Sequence, residues 1–165
     1  MTTAMAGLAL IAAAGCTVNY SLSGGSVPAS AKTLSVAGMD ARAPLCPPQA
    51  AQVITEAVRD LMQAQTPLNL AQGDGDIAYE GTITGYDVQP VSIQADETAA
   101  LNRLTVTLTV HYTNKVDSKA NADFTVSRFA DYPSTQDLGS VETALVEDIA
   151  KQLAQDIFDR TLGNW

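Results

Sequence analysis

The chain has one histidine and two cysteines among its 165 residues. That scarcity removes most site chemistry at the outset. A zinc centre draws on several Cys or His ligands, and a disulfide framework needs more than two cysteines. Basic residues are also few, nine Lys and Arg against 18 Asp and Glu, for a net charge of -9. This balance excludes nucleic acid as a partner, because phosphates demand a basic face. It equally excludes a polybasic contact with a membrane surface. Long apolar runs are missing too. Leu8–Ala14 is far shorter than the ~20 residues a membrane-spanning helix needs, so none is expected there.

What stands at the front is an ordered succession. Residues Leu8 to Cys16 read LALIAAAGC, an apolar run closed by small residues and a cysteine, and Thr17 to Ser30 is polar and turn-rich. The order predicts an export signal over residues 1–15, cut before Cys16, with lipid then carried by Cys16. A tether over 16–31 and a folded domain over 32–165 follow, with a short strand expected at Tyr20–Leu22. A secretory signal opens with basic residues, and the first here is Lys32; one explanation is a start codon assigned too late. The alternative is an apolar N-terminus with an incidental cysteine. Each buried methylene contributes about 0.8 kcal/mol, and one fatty chain anchors only marginally. The three chains of a bacterial lipoprotein cysteine would make release negligible. Cys46, in APLCPP, then has no partner within the chain and is expected as a buried or loop thiol.

About 150 residues after Cys16 suit one domain with its own core, and an apolar content of 46% argues against disorder beyond the tether. Thr33–Met39 alternates and predicts a strand. A helix is expected over roughly 48–65, with Pro47 and Pro48 in its first turn. Its apolar face is Val53, Ile54, Ala57, Val58, Leu61 and Met62. Thr66–Pro67 stops it, and Leu68–Ala71 reads as a short strand. GDGD at Gly73–Asp76 is a turn; a calcium loop would need ligand spacing and a closing glutamate that are missing. From Ile77 alternation resumes, and a phase slip at Gly85–Tyr86 predicts a β-bulge. Pro90 ends that strand or confines it to a sheet edge.

The most strongly specified pair comes next. Leu104, Val106, Leu108, Val110 and Tyr112 form one face of a strand, and Thr105, Thr107, Thr109 and His111 form the other. Its partner runs from about Ala120 to Asp131. Placing Lys115 against Lys119 sets Phe124 opposite Val110, Val126 opposite Leu108, Thr125 opposite Thr109 and Ser127 opposite Thr107. The same register sets Asp123 against His111 and Asp131 against Arg103, each cross-strand pair contributing roughly 0.2–1 kcal/mol. The last element is a helix over about 140–162, capped by Ser140 and ended by Gly163, with Val141, Leu145, Ile149, Leu153 and Ile157 on one stripe. Each helix has one apolar stripe and the hairpin one apolar face, so both helices stack on that face. The expected fold is α+β: a two-layer sandwich of two amphipathic helices on one face of a four- or five-stranded, mixed but mostly antiparallel sheet.

Catalytic chemistry is not expected. His111 beside Asp123 could orient a base, but no nucleophile is placed by the sequence, and no G-x-S-x-G elbow occurs. No cofactor and no metal are implied. The uncovered sheet face is the candidate site: Thr105, Thr107, Thr109, Thr125 and Ser127, bordered by Arg103 and His111. It is either an ordinary solvent-facing surface or a wet protein interface, since hydroxyl groups pair readily through water.

Several strings together carry a resemblance: GC before the tether, KTLSVAGMDARAPL at 32–45, ETAALNRLTVTLTVHYTN at 97–114, SRFADYPSTQDLGSVE at 127–142 and the final GNW. They resemble the LptE family of lipopolysaccharide-assembly lipoproteins, in its shorter form. The resemblance implies two helices against one face of a four-stranded sheet. It implies a protein held to the outer membrane by lipid at Cys16, on the periplasmic side, and lodged as plug and assembly partner in the LptD β-barrel. Together the two place lipopolysaccharide in the outer leaflet. Contacts to lipopolysaccharide in such proteins involve basic residues, for which Arg103 and Arg128 are the candidates here. The alternative is a stand-alone envelope lipoprotein that binds a glycolipid or another envelope ligand.

Overall fold

The computed structural model describes residues 27–91 and 100–163. The expected signal, Cys16, the strand at Tyr20–Leu22 and the final Trp165 lie outside the described residues. Nine elements follow in order: β1 (Thr33–Val36), β2 (Asp40–Ala41), α1 (Pro48–Gln65), β3 (Asn69–Leu70), β4 (Ile77–Val91), β5 (Leu101–Asn114), a 3-10 turn (Ser118–Ala120), β6 (Ala122–Pro133) and α2 (Leu138–Thr161).

Strict alternation along β5 fixes the centre of the sheet. Leu104, Val106, Leu108 and Val110 lose all contact with solvent, while the hydroxyls between them face outward. A one-residue slip would exchange those faces. The register of β5 with β6 is therefore the one the pattern predicts: Phe124 lies opposite Val110, Val126 opposite Leu108, Ser127 opposite Thr107 and Asp131 opposite Arg103. The ladder stops at Tyr112 and Ala122, before Lys115 and Lys119 could face each other. The loop is organised instead by buried Asn114, whose Oδ1 accepts from the backbone N–H groups of Val116 (3.0 Å) and Asp117 (2.9 Å).

β4 pairs antiparallel with β5, and the register shifts between Ile83 and Gly85. Thr84 is the extra residue, so Ile83 and Tyr86 both point into the core. This is the expected bulge. Pro90 does not end the strand, since it stays in register with Asn102. Beyond Ala41 the other side of β4 has no strand neighbour among the described residues, and there a missing N–H leaves nothing unpaired.

β1, β2 and β3 are short and parallel to their neighbours, giving a six-stranded sheet of order β3-β1-β4-β5-β6 with β2 also on β4. The expected four or five strands thus become six. The first strand ends at Val36 rather than Met39, and the chain returns to the same edge at Asp40. Arg59 of α1 donates twice to the carbonyl of Val36, at 2.8 and 3.2 Å, which satisfies the backbone where β1 leaves the sheet. The GDGD segment, expected as a turn, is a bent connection without a hydrogen-bonded turn, and it ties β1 to β4. Its Asp76 accepts from the N–H groups of Lys32 (2.8 Å) and Thr33 (3.0 Å) and from the Thr33 hydroxyl (2.9 Å). Gly75 lies so close to β1 that a Cβ would sit 2.7 Å from the Ser35 nitrogen. Gly75→Val is expected to destabilise the domain by about 1–3 kcal/mol. Urea denaturation checks this, and an unchanged midpoint would contradict so close an approach.

α1 has the expected bounds, and Ile54, Val58 and Met62 are fully buried. α2 starts two residues earlier than expected. Its N-cap is Asp137, whose carboxylate accepts from Gly139 N–H at 3.0 Å. Ser140 lies inside the first turn and donates its hydroxyl to the Asp137 carbonyl. Ile149, Leu153 and Ile157 of α2 are fully buried in the core, and α2 packs on β5 and β6; Tyr79 of β4 and Tyr112 of β5 pack in the same core with ring centroids 5.1 Å apart. The Tyr79 hydroxyl is paired with Thr161 at 2.7 Å, and burial pushes its pKa well up. Both helices cover the same sheet face. Tyr86 of β4 donates to Glu142 of α2 at 2.5 Å, so the start of α2 is pinned to the sheet.

Candidate functional site

Among the described residues the other sheet face carries no helix. β5 contributes Arg103, Thr105, Thr107, Thr109 and His111 to it, and β6 contributes Asp131, Phe129, Ser127, Thr125 and Asp123. The period of two places all ten on one side. Thr107 and Ser127 share a hydrogen bond of 3.0 Å, and Thr109 and Thr125 one of 3.3 Å. These bonds join the hydroxyls in two adjacent cross-strand pairs. β4 adds Thr82 opposite Thr109, then Gly85 opposite Thr107. At Gly85 a Cβ would come 3.1 Å from the Thr107 side chain, so the glycine keeps the row open.

The two ends of the row differ. At one, Arg103 binds Asp131 through two parallel bonds of 2.7 and 2.8 Å and lies over the Phe129 ring, 3.6 Å from its centroid. The guanidinium holds the Asp131 carboxyl below the usual carboxylate range. Phe129 is 47% exposed and is one of few large apolar side chains open to solvent among the described residues. At the other end His111 Nδ1 bonds the Asp123 carboxylate, and Glu80 faces His111 from β4. The Asp123 hydrogen bond and charge, with Glu80 behind, raise the imidazole pKa above its ordinary 6.5. The charged form is therefore favoured by folding. Its contribution is complete below the ordinary value and disappears as pH rises through the raised folded value. Asp123→Asn is expected to move the His111 midpoint down toward 6.5 in an NMR titration; a midpoint that stays put would contradict this pairing.

The structure brings Arg103, Thr105, Thr107 and Thr109 together on this face. It does not bring Arg128 there. Arg128 lies opposite Val106, on the helix side, and binds Asp156 of α2 through two nitrogens, one at 2.6 Å. The signal for this is in the sequence: Arg128 shares parity with Phe124 and Val126, which the alternation directs toward the core. Phe129 escapes the sequence reading for the converse reason. An aromatic residue reads as core by type, but its parity is that of Ser127. Cys46 is half-buried, and burial followed by the charge of Glu142 pushes its thiol up, which disfavours the reactive thiolate. Among the described residues no group of three or more His, Cys, Asp or Glu is placed to hold a metal ion. No helix of the described residues is long and apolar enough to cross a membrane.

Fold and face define a two-layer α+β domain with a single-sided core and a polar sheet surface left open. The family described as lipopolysaccharide-assembly, LptE, matches residues 31–161. The chain belongs to the LptE family, and that membership assigns it to lipopolysaccharide assembly. No curated protein matches it. Solved structures share the fold at low identity. A minor lipoprotein from Acinetobacter baumannii is 16% identical, with 78% of this chain and 91% of that one covered and a TM-score of 0.51. A Xanthomonas campestris protein is 15% identical, with 82% and 86% covered and a TM-score of 0.53. A neuraminyllactose-binding hemagglutinin homolog from Helicobacter pylori is 7% identical, with 85% and 88% covered and a TM-score of 0.54.

Proposed function

We propose that this protein is an outer-membrane lipoprotein, anchored through Cys16 on the periplasmic side, that plugs the LptD barrel and assists its assembly. In that role it serves the transport of lipopolysaccharide and its insertion into the outer membrane. One observation carries the reading beyond family membership: the sheet has its core on one side and a cluster of exposed, cross-strand-paired hydroxyls on the other. A plug in a hydrated lumen needs such a surface, since hydroxyls bond to a barrel wall directly or through water at little desolvation cost. The tether raises the effective concentration of the plug at its barrel without any new contact. The role calls for no active site.

The test uses the protein extracted from membranes. Wild type is expected in the outer-membrane fraction with an LptD-like barrel bound. Cys16→Ala, exported behind a leader whose cleavage does not depend on the cysteine, is expected to shift the protein to the soluble periplasmic fraction. Recovery of a lipid-loaded monomer with no barrel would contradict the plug, and equal membrane retention of the variant would contradict the anchor.

A further inference from the structure

The outer strand β6 has a second side. Successive residues of an antiparallel strand direct their backbone groups alternately toward and away from the neighbour. The Thr125 carbonyl accepts from Arg160 of α2 at 3.3 Å, so the backbone groups of Thr125 point away from β5. By alternation the N–H and C=O groups of Ser127, Phe129 and Asp131 point the same way. Among the described residues these groups have no backbone partner. Pro133, of the same parity, has no N–H to offer. The result is a short window of free strand edge, closed at one end by Arg160 and at the other by proline.

Proteins usually blunt such edges with prolines, bulges or charge. The free edge of β4 is treated that way, by the bulge at Thr84 and by Pro90. The β6 window is not. Its two nearby charged pairs, Arg103 with Asp131 and Arg128 with Asp156, are internally neutralised, in a chain of net charge -9. Exposed Phe129 stands at its middle.

We infer that the Ser127–Asp131 edge receives an extended peptide segment of the barrel partner as an added strand of the sheet. Backbone hydrogen bonds give such strand addition its affinity, and alternate side chains give its specificity. The segment is uncharged where it crosses the window and sets a β-branched or aromatic residue beside Phe129, the pairing that sheets favour. A closed barrel has no unpaired strand edge of its own, so the segment is a loop or a terminal extension rather than a wall strand. The inference rests on the plug reading above and adds the mode of contact.

Amide exchange followed by NMR in the free protein and in its complex with the LptD-like barrel of the same organism tests it. In the free protein the amides of Ser127, Phe129 and Asp131 exchange fast, while those of Val126, Arg128 and Ala130 are protected by β5. In the complex the first three are expected to slow at least tenfold. Ser127→Pro removes the outward N–H and also fixes the local φ, so, with a thermal midpoint matched to that of Ser127→Ala as the control for strand distortion and the lost hydroxyl, it is expected to weaken barrel capture tenfold or more relative to Ser127→Ala. Capture of the barrel by wild type with the three amides exchanging as in the free protein would overturn this inference alone. Failure of wild type to capture the barrel would overturn the plug reading and this inference together.

Discussion

On the proposed plug role, Thr107→Arg combined with Thr109→Arg is expected to abolish capture of the LptD-like barrel while lowering the thermal midpoint of the isolated domain only slightly. The two positions lie at the centre of the open face, on hydroxyls that bond to Ser127 and Thr125. In the free protein a long charged side chain there extends into water, and the loss is that of two cross-strand hydroxyl pairs, roughly 0.2–1 kcal/mol each. Against a barrel wall the same charges are desolvated without a partner, which is costly. A penalty of about 2.8 kcal/mol is roughly 100-fold in affinity, and two buried guanidinium groups exceed it. Co-purification from detergent-solubilised membranes reads the result, with the melting curve of each domain as control. Retained capture at wild-type level would remove the face from the interface.

One residue away the expectation reverses. Leu108→Ala lies between those threonines in sequence but on the opposite side of β5, with no exposure to solvent. It belongs to the single buried core between the sheet and the helices. Deleting a buried leucine side chain costs the transfer free energy of the lost methyl groups and leaves a cavity, together about 2–5 kcal/mol. A domain of this size has about 5–15 kcal/mol in hand, so the loss is a large share of its stability. Urea denaturation of Leu108→Ala and Thr109→Ala side by side gives the measurement: a large drop for the first and a small one, about 1 kcal/mol or less, for the second. Equal drops would mean that both faces of the sheet are covered, contrary to the fold.

The contrast between Leu108 and Thr109 also explains what the sequence made readable. Where one face of an element is buried and the other wet, alternation specifies register, and β5 with β6 followed from residue types alone. α1 was bounded by prolines at its start and by Thr66–Pro67 at its end, so its limits could be read directly. The short strands were harder. β2 is two exposed residues, Asp40 and Ala41, held by bonds from the N–H groups of Arg42 and Ala43 to the Ile83 carbonyl. Such bonds leave no trace in side-chain pattern. The start of α2 was misplaced because Asp137 and Ser140 are both good caps, and the choice lay with the backbone turn. The hydroxyl row of the site was legible for the same reason as the register. The edge of β6 was not, because free backbone groups depend on which strand ends the sheet.

The claim at the centre is that the helix-free face meets the barrel. Site-specific photocrosslinking in living cells reaches it directly, with a photoreactive residue placed in turn at Thr107, Thr109 and Thr125. Covalent adducts with the LptD-like barrel are expected from all three. Their absence at all three, with adducts forming from solvent-facing positions of α1 such as Gln52 and Glu56, would contradict the account.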